Sequence, residues 1–388
     1  MSRRAHKIIN LVRDRGHLRV TLSFANDHHL DRRLFDLTQI DGYNTLAFTV
    51  SDTFYNRIQQ FLCTDLFHIL YQKSAAKVQK NLHICKYIAK KLAYVKKKQY
   101  FCAMKQKILR ILMWLGIVSV LTLLSMGLWM VITGGSQTTE SLKWLQCLQT
   151  IGTFLLPPIL CAWIWDERRK PFSWLKMDRR ADGWSFALSI GIMVCAVPAI
   201  NLLADLNGRI ELPDCMSAIE QKMREMEDNA ALLTERFLQA DHVGMLLINI
   251  GLMALLPAFA EELSFRGTLQ QILSKGNRLK VIGYSSHVAI WVTAFIFSAI
   301  HMQFYGFVPR MLMGAMFGYI FVWTGSLWVP IVMHFTNNGL AVLAFYIFGI
   351  ENSYADTIGA GATWWLGVIS LIITSLGLLI FYRRTHKQ

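Results

Sequence analysis

Apolar and polar positions alternate at two scales along this chain. From residue 104 onward, long apolar blocks fall at roughly 108–132, 146–165, 184–204, 243–262, 284–302, 306–324, 327–349 and 362–382. A hydrocarbon core about 30 Å thick needs about 20 apolar residues in helical form. In lipid every backbone N–H and C=O must be satisfied within the segment, which favours helices. The pattern therefore predicts an all-α, polytopic membrane protein with about eight transmembrane helices. The second block contains Pro157-Pro158, where a kink is expected. At the smaller scale, three polar motifs interrupt the blocks or their ends: Glu261-Glu262-Leu-Ser-Phe-Arg266, Phe297-Ser-Ala-Ile-His301 and His334-Phe-Thr-Asn-Asn338. A charge at the bilayer centre costs about 2.5–3.5 kcal/mol on insertion scales, and such residues usually face a bundle interior.

Basic residues orient the helices. Lys105, Lys107 and Arg110 precede the first block; Arg168, Arg169, Lys170, Lys176, Arg179 and Arg180 separate the second from the third. Arg266, Lys275, Arg278 and Lys280 lie between the fourth and fifth, and Arg383, Arg384 and Lys387 follow the last. All fall on one side if both termini are cytoplasmic, as the positive-inside rule requires. The long opposite loop, 205–242, is mixed and acid-rich. Its 217–240 portion has helical periodicity and reads as a solvated or interfacial amphipathic helix.

Composition agrees. The 388 residues are 54% hydrophobic and include 12 Trp. The seven Cys (63, 85, 102, 147, 161, 195, 215) form no CxxC pair and read as buried small hydrophobes. The first apolar block is too long for the apolar core of a cleavable signal peptide. The formal charge of +15 is uneven: residues 1–103 carry a net +11 and no Glu, Trp or Pro. Three readings of 1–103 stay open: a basic soluble or membrane-surface domain, a disordered extension, or a segment preceding a translation start at Met104. A nucleic-acid role lacks an aromatic-basic motif, and no nucleic-acid partner is expected.

The polar motifs hold the chemistry. Glu261 and Glu262 point about 100° apart on a helix, so they cannot aim at one point. Arg266 is i+4 from Glu262, which is ion-pair spacing. The economical assignment pairs Glu262 with Arg266 and leaves Glu261 facing a cavity as a candidate general base. The bland alternative is a charged helix terminus with snorkelling side chains. His301 lies one turn after Phe297. His334 and Asn338 share a face, either as donors to a polarised carbonyl oxygen or as an interhelical clasp. Asn337 points elsewhere.

Occurring together in this order, EExxxR, FxxxH and HxxxN resemble the type II CAAX prenyl endopeptidase family, the CAAX-protease and bacteriocin-processing (CPBP) intramembrane proteases. The stretch Gly325-Ser-Leu-Trp-Val-Pro-Ile-Val-Met-His334 resembles the approach to that family's third motif. The resemblance covers about 240–345 well, the plan of 104–388 loosely, and 1–103 not at all. It implies an intramembrane endopeptidase in which Glu261 activates water with help from His301. His334 and Asn338 would stabilise the oxyanion, and Glu262 and Arg266 would hold the geometry.

Glu261, His301 and His334 suffice in type for a catalytic zinc with an open position. They lie on separate helices without an HExxH, and a metal-free glutamate mechanism fits the same residues; we expect no obligatory protein-held zinc. The implied partners are membrane lipids and a hydrophobic or lipid-modified peptide or protein. The location suggested is a bacterial inner membrane. The competing readings are a non-enzymatic scaffold or a bacteriocin self-immunity protein, and, third, a transporter using buried carboxylates. One expectation is awkward. These block limits put Glu261 and His334 nearer the cytoplasmic side and His301 nearer the outside. Meeting requires the fourth span to run past Glu262 and the fifth to begin later than 284.

Overall fold

The computed structural model describes residues 7–14, 17–26, 29–35, 105–166, 169–274, 284–349 and 357–386. The chain forms two compact units, Met1–Leu82 and His83–Gln388. The boundary expected after residue 103 and the start at Met104 lie outside the described residues.

The first unit contains a three-stranded antiparallel meander: β1 (Lys7–Asp14), β2 (His17–Asn26) and β3 (His29–Phe35), in spatial order β1-β2-β3. Leu11 pairs with Val20 and Ile9 with Leu22; across the other ladder Val20 pairs with Phe35. The sequence carries the signal in the alternation of Leu18, Val20, Leu22 and Phe24 along β2, a period of two that favours a strand. A search for spans alone passes over it. The all-α class describes the second unit, and the small sheet is an addition to it.

The regular elements described in the second unit are all helices. Among the described residues, seven helices are long and apolar enough to cross a membrane: α1 (Lys105–Thr133), α2 (Thr139–Trp165), α3 (Gly183–Gly208), α5 (Val243–Ser274), α7 (Phe307–Thr324), α8 (Trp328–Phe348) and α9 (Gly361–Thr385). Between α3 and α5 lies the charged helix α4 (Ser217–Leu238), within the segment expected to be amphipathic. The remaining apolar block forms α6 (Tyr284–Ala299), 16 residues long. Its described part is about 24 Å at 1.5 Å per residue. The fifth block is thus present as a helix that ends at Ala299, and the fourth is longer than its apolar block, running well past Glu262.

Proline and glycine shape the bundle around the site. Pro158 has no N–H to give Phe154, four residues earlier, and the preceding stretch Thr150–Leu155 widens into a π-helix. The carbonyl of Phe154 accepts instead from Ser264 Oγ of α5 at 2.9 Å. The expected irregularity at Pro157-Pro158 is therefore part of the α2–α5 contact. In α5, a second π-stretch (Ile250–Leu255) precedes Pro257, and a third (Phe265–Gln270) follows the paired glutamates.

Gly314 and Gly318, one turn apart on α7, let neighbouring helices come close. A Cβ at Gly314 would lie 3.2 Å from Phe297 Cδ1; one at Gly318 would lie 2.8 Å from Gln270 Oε1 and 2.9 Å from Ile290 Cγ2. This small-xxx-small pair exposes two carbonyls to α5: Arg266 Nη2 donates to Gly314 O (2.8 Å) and Gln270 Nε2 to Gly318 O (3.0 Å). The α8 entry is fixed from below by the 170s segment. Ser326 Oγ donates to Arg179 O (2.7 Å), and Trp328 Nε1 to Met177 O (2.8 Å). A buried cluster of Ile192, Met193, Phe317, Ile320, Val329, Met333 and Phe381 then packs α3, α7, α8 and α9 together.

Overpacking a full interior costs about 1–3 kcal/mol. Gly318→Val should lower the thermal midpoint of the purified protein in detergent by several degrees. Gly116→Ala, where a Cβ meets nothing within 4 Å, should leave it unchanged or raise it. Equal midpoints for Gly318→Val and wild type would refute the close-approach account.

Candidate active site

The first motif sits inside the long α5. Glu262 and Arg266 are one turn apart, both at 0% side-chain exposure, and pair through Nη1–Oε1 at 2.5 Å. An isolated buried charge is prohibitively unstable, so each must be matched. Arg266 is matched on several sides. Besides Glu262 it reaches Gly314 O, and its guanidinium lies over the rings of Phe297 (4.8 Å) and Phe317 (5.3 Å).

Glu262 Oε1 also contacts His334 Nδ1 at 3.0 Å. A carboxylate held ionised by an arginine can only accept, so Nδ1 carries the proton and donates. The ring is stacked on Phe317 (centroids 5.2 Å apart) and meets Phe297 edge-on (5.9 Å). These contacts leave one orientation, in which Nε2 faces Glu261 Oε2 at 3.9 Å. Glu262 thus does more than pair with Arg266: it fixes the imidazole that presents its other nitrogen to Glu261, as an outer carboxylate orients a working histidine. Glu261 keeps 14% side-chain exposure against none for Glu262, so it is the reachable carboxylate of the two. Its charged surroundings are His334, Glu262, Arg266 and Arg310.

His301 follows α6 in the turn before α7. Its Nδ1 donates to Phe297 O at 2.7 Å, leaving Nε2 with a lone pair. The Phe297 ring contacts His301 (5.1 Å) as well as His334, so the two imidazoles flank one phenyl group. No hydrogen bond joins His301 to Glu261 or His334 among the described residues. Of the two conditions for a meeting, the first is met, since α5 runs past Glu262 to Ser274; the start of α6 borders residues outside those described. What brings His301 near is the early end of α6 at Ala299, which turns the chain back over Phe297. Burial, then the Arg310 guanidinium beside it, pushes the His301 imidazole down to about 4.

Asn338 lies one turn beyond His334 on α8. Its Oδ1 accepts from Asn337 Nδ2 at 3.1 Å, and its amide N–H groups make no hydrogen bond among the described residues. The structure therefore gathers Glu261, Glu262, Arg266 and His334 directly, holds His301 through Phe297, and leaves Asn338 one turn beyond His334 on α8. The sequence reading omitted Phe317, Gly314 and Arg310. Phe317 and Gly314 carry no motif of their own, and only the α5–α7 approach reveals them.

No group of three His, Cys, Asp or Glu among the described residues is arranged to hold a metal ion. Glu261 Oε2 lies 3.9 Å from His334 Nε2, and His301 Nδ1 is bonded to Phe297 O. As placed, Glu261, His301 and His334 do not form a three-ligand zinc set.

Residues 243–340, which contain all three motifs, match the family model described as Type II CAAX prenyl endopeptidase Rce1-like. The chain is 32% identical over 91 residues to the Bacillus subtilis (strain 168) protein printed as "Uncharacterized protein YpbD"; the match covers 22% of this chain and 40% of that one. The chain thus spans less than half the length of that relative. No solved structure matches.

Removing one member of a buried ion pair costs about 3–5 kcal/mol, because the other is stranded. Glu262→Leu and Arg266→Met singly should lower the thermal midpoint far more than the double variant, read in detergent by circular dichroism. For His301, the folded value lies below the ordinary 6.5, so the unfolded chain binds more protons between about pH 4 and 6.5. Stability should fall as pH drops through that window, and His301→Gln should flatten the fall; an unchanged slope would contradict the buried neutral imidazole.

Proposed function

We propose that residues 104–388 form an integral-membrane endopeptidase of the CAAX-processing type, with residues 1–103 as an extension to it. The observation that carries this reading is the asymmetric carboxylate pair. Glu262 is sealed and neutralised by Arg266, while its neighbour Glu261 stays reachable and faces His334 Nε2.

In this reading Glu261 takes a proton from a water molecule whose oxygen attacks the scissile carbonyl carbon, with His301 Nε2 as a second acceptor polarising that water. The oxyanion that forms is met by the Asn338 amide, with His334, held at Nδ1 by Glu262, as the second stabilising side chain. Collapse of the intermediate breaks the C–N bond, and Glu261 returns its proton to the leaving amine. No step in this reading is routed through zinc. Substrates are hydrophobic or lipid-modified peptides entering from the bilayer. The Lys/Arg bias supports a bacterial inner membrane with both termini cytoplasmic.

The test is cleavage of a panel of hydrophobic and farnesylated peptides by the purified full chain in detergent. A positioned general base contributes about 10²–10⁴ in rate, and one oxyanion donor about 10²–10³. Glu261→Ala and Asn338→Ala should lower kcat by those amounts, and a chelator should leave the wild type unaffected. Activity lost to chelator and restored by zinc would require a metal mechanism. No cleavage by any form would favour the scaffold or self-immunity reading, in which the polar cluster serves helix packing.

A further inference from the structure

Arg310 is a partly buried cation of the helical unit. It occupies the first turn of α7, next to the turn that carries His301. Arg266, the other arginine near Glu261, is consumed by a carboxylate, a carbonyl and two rings. Arg310 makes no ion pair among the described residues. Its hydrogen-bond partners are both neutral and both from Gln303: Oε1 to Nη2 at 2.6 Å and the main-chain oxygen to Nη1 at 3.5 Å. Gly306 gives the guanidinium room to fold back over the turn, since a Cβ there would stand 3.0 Å from Nη2. The result is a partly buried cation held in place by a dedicated side chain, with donors to spare.

Its surroundings point to an anionic ligand. The carboxylates in its field are Glu261 of α5 and Glu227 of α4, and neither is at ion-pair distance. Glu227 is already engaged, accepting from Tyr305 N at 3.3 Å. A guanidinium presents a planar fork that matches a carboxylate in two-point fashion. A partly desolvated one without an anion is an incomplete pair.

We propose that Arg310, held by Gln303, is a carboxylate-binding subsite next to the turn that carries His301, and that it docks an anionic group of the peptide to be cleaved. This rests on the hydrolase reading for the identity of the ligand as a peptide. The carboxylate has two sources, the free C-terminus of the peptide or an Asp or Glu side chain close to the scissile bond. In either case Arg310 selects which peptides are held, and it touches the substrate away from the bond that breaks.

The experiment uses the full chain in detergent and three dye-labelled hydrophobic peptides with N-methylated, uncleavable backbones. One ends in a free carboxylate, one is amidated, and one is amidated with Asp at the last position. Binding is read by fluorescence anisotropy. A hydrogen-bonded charged contact corresponds to about a tenfold or larger change in Kd. The free acid should bind at least tenfold more tightly than the amide. Arg310→Gln should erase that difference, Arg310→Lys should keep part of it, and Gln303→Ala should fall between. Equal tightening by the Asp peptide assigns the subsite to side-chain carboxylates as well; none assigns it to the terminus. Gel filtration and thermal midpoints confirm that each variant is folded, and Gln303→Ala keeps the test alive should Arg310→Gln fail to fold. Equal affinities of wild type for all three peptides, or a difference that survives Arg310→Gln, would overturn the subsite. Cleavage of the unmethylated peptides is scored separately. Its absence with the binding difference intact defeats the hydrolase reading and leaves the subsite, now as a peptide-docking site.

Discussion

A carboxylate and a guanidinium are sealed together at the centre of the helical unit, and the placement of their neighbours follows from keeping them satisfied. Glu262 and Arg266 have no exposure to water, so every compensating interaction must come from protein. Those present tie α5 to three other helices, while Glu262 Oε2 and Arg266 Nε keep no hydrogen-bond partner among the described residues. The Gly314 carbonyl draws α7 against α5, which only residues without side chains permit at Gly314 and Gly318. The Phe297 and Phe317 faces bring in α6 and α7. The second acceptor position of Glu262 Oε1 is filled by His334 of α8. Four helices are thereby tied to one charge pair, and the most buried polar groups also set the orientation of the most reactive ones.

The same logic explains why a structural pair and a reactive group can be adjacent in sequence. Glu261 and Glu262 diverge by about 100° around α5. One enters the sealed interior; the other stays partly open beside His334 Nε2. A single residue of register separates a group that organises the site from a group that can do chemistry there. Glu262 fixes the proton on His334 Nδ1, and this leaves Nε2 as the only ring nitrogen that can act toward Glu261.

Helix irregularities distribute the remaining backbone polar groups. Prolines in α2 and α5 remove N–H donors, and the π-stretches before them take up the mismatch. The Phe154 carbonyl freed by Pro158 is matched by Ser264 of α5, in the turn after Glu261. At the other end of the unit, Asn249, buried in the first turns of α5, accepts from Lys143 Nζ (2.9 Å) and donates to Leu238 O (3.0 Å), closing the last turn of α4. Arg224 of α4 lies over the Tyr305 ring at 4.6 Å, so α4 also rests on the turn that carries His301 and Gln303.

The sequence by itself determined the helical membrane unit, because each apolar block must satisfy its own backbone in lipid, and period and length record that need directly. It also determined the Glu262–Arg266 pair, a local i,i+4 relation on one helix. The strand alternation in residues 17–26 was equally local, though easily passed over beside the longer blocks. What the tertiary structure decided is everything that depends on helices meeting. The length of α5 beyond its apolar block, the early end of α6, and the arrival of His334 at Glu262 all follow from packing partners far apart in the chain. The same holds for Phe317, Gly314 and Arg310. Their types are ordinary for a membrane helix, and they acquire meaning only from what α5 and the 300–306 turn place against them. A sequence lists the polar groups that must be satisfied; only the packed bundle selects which group satisfies which.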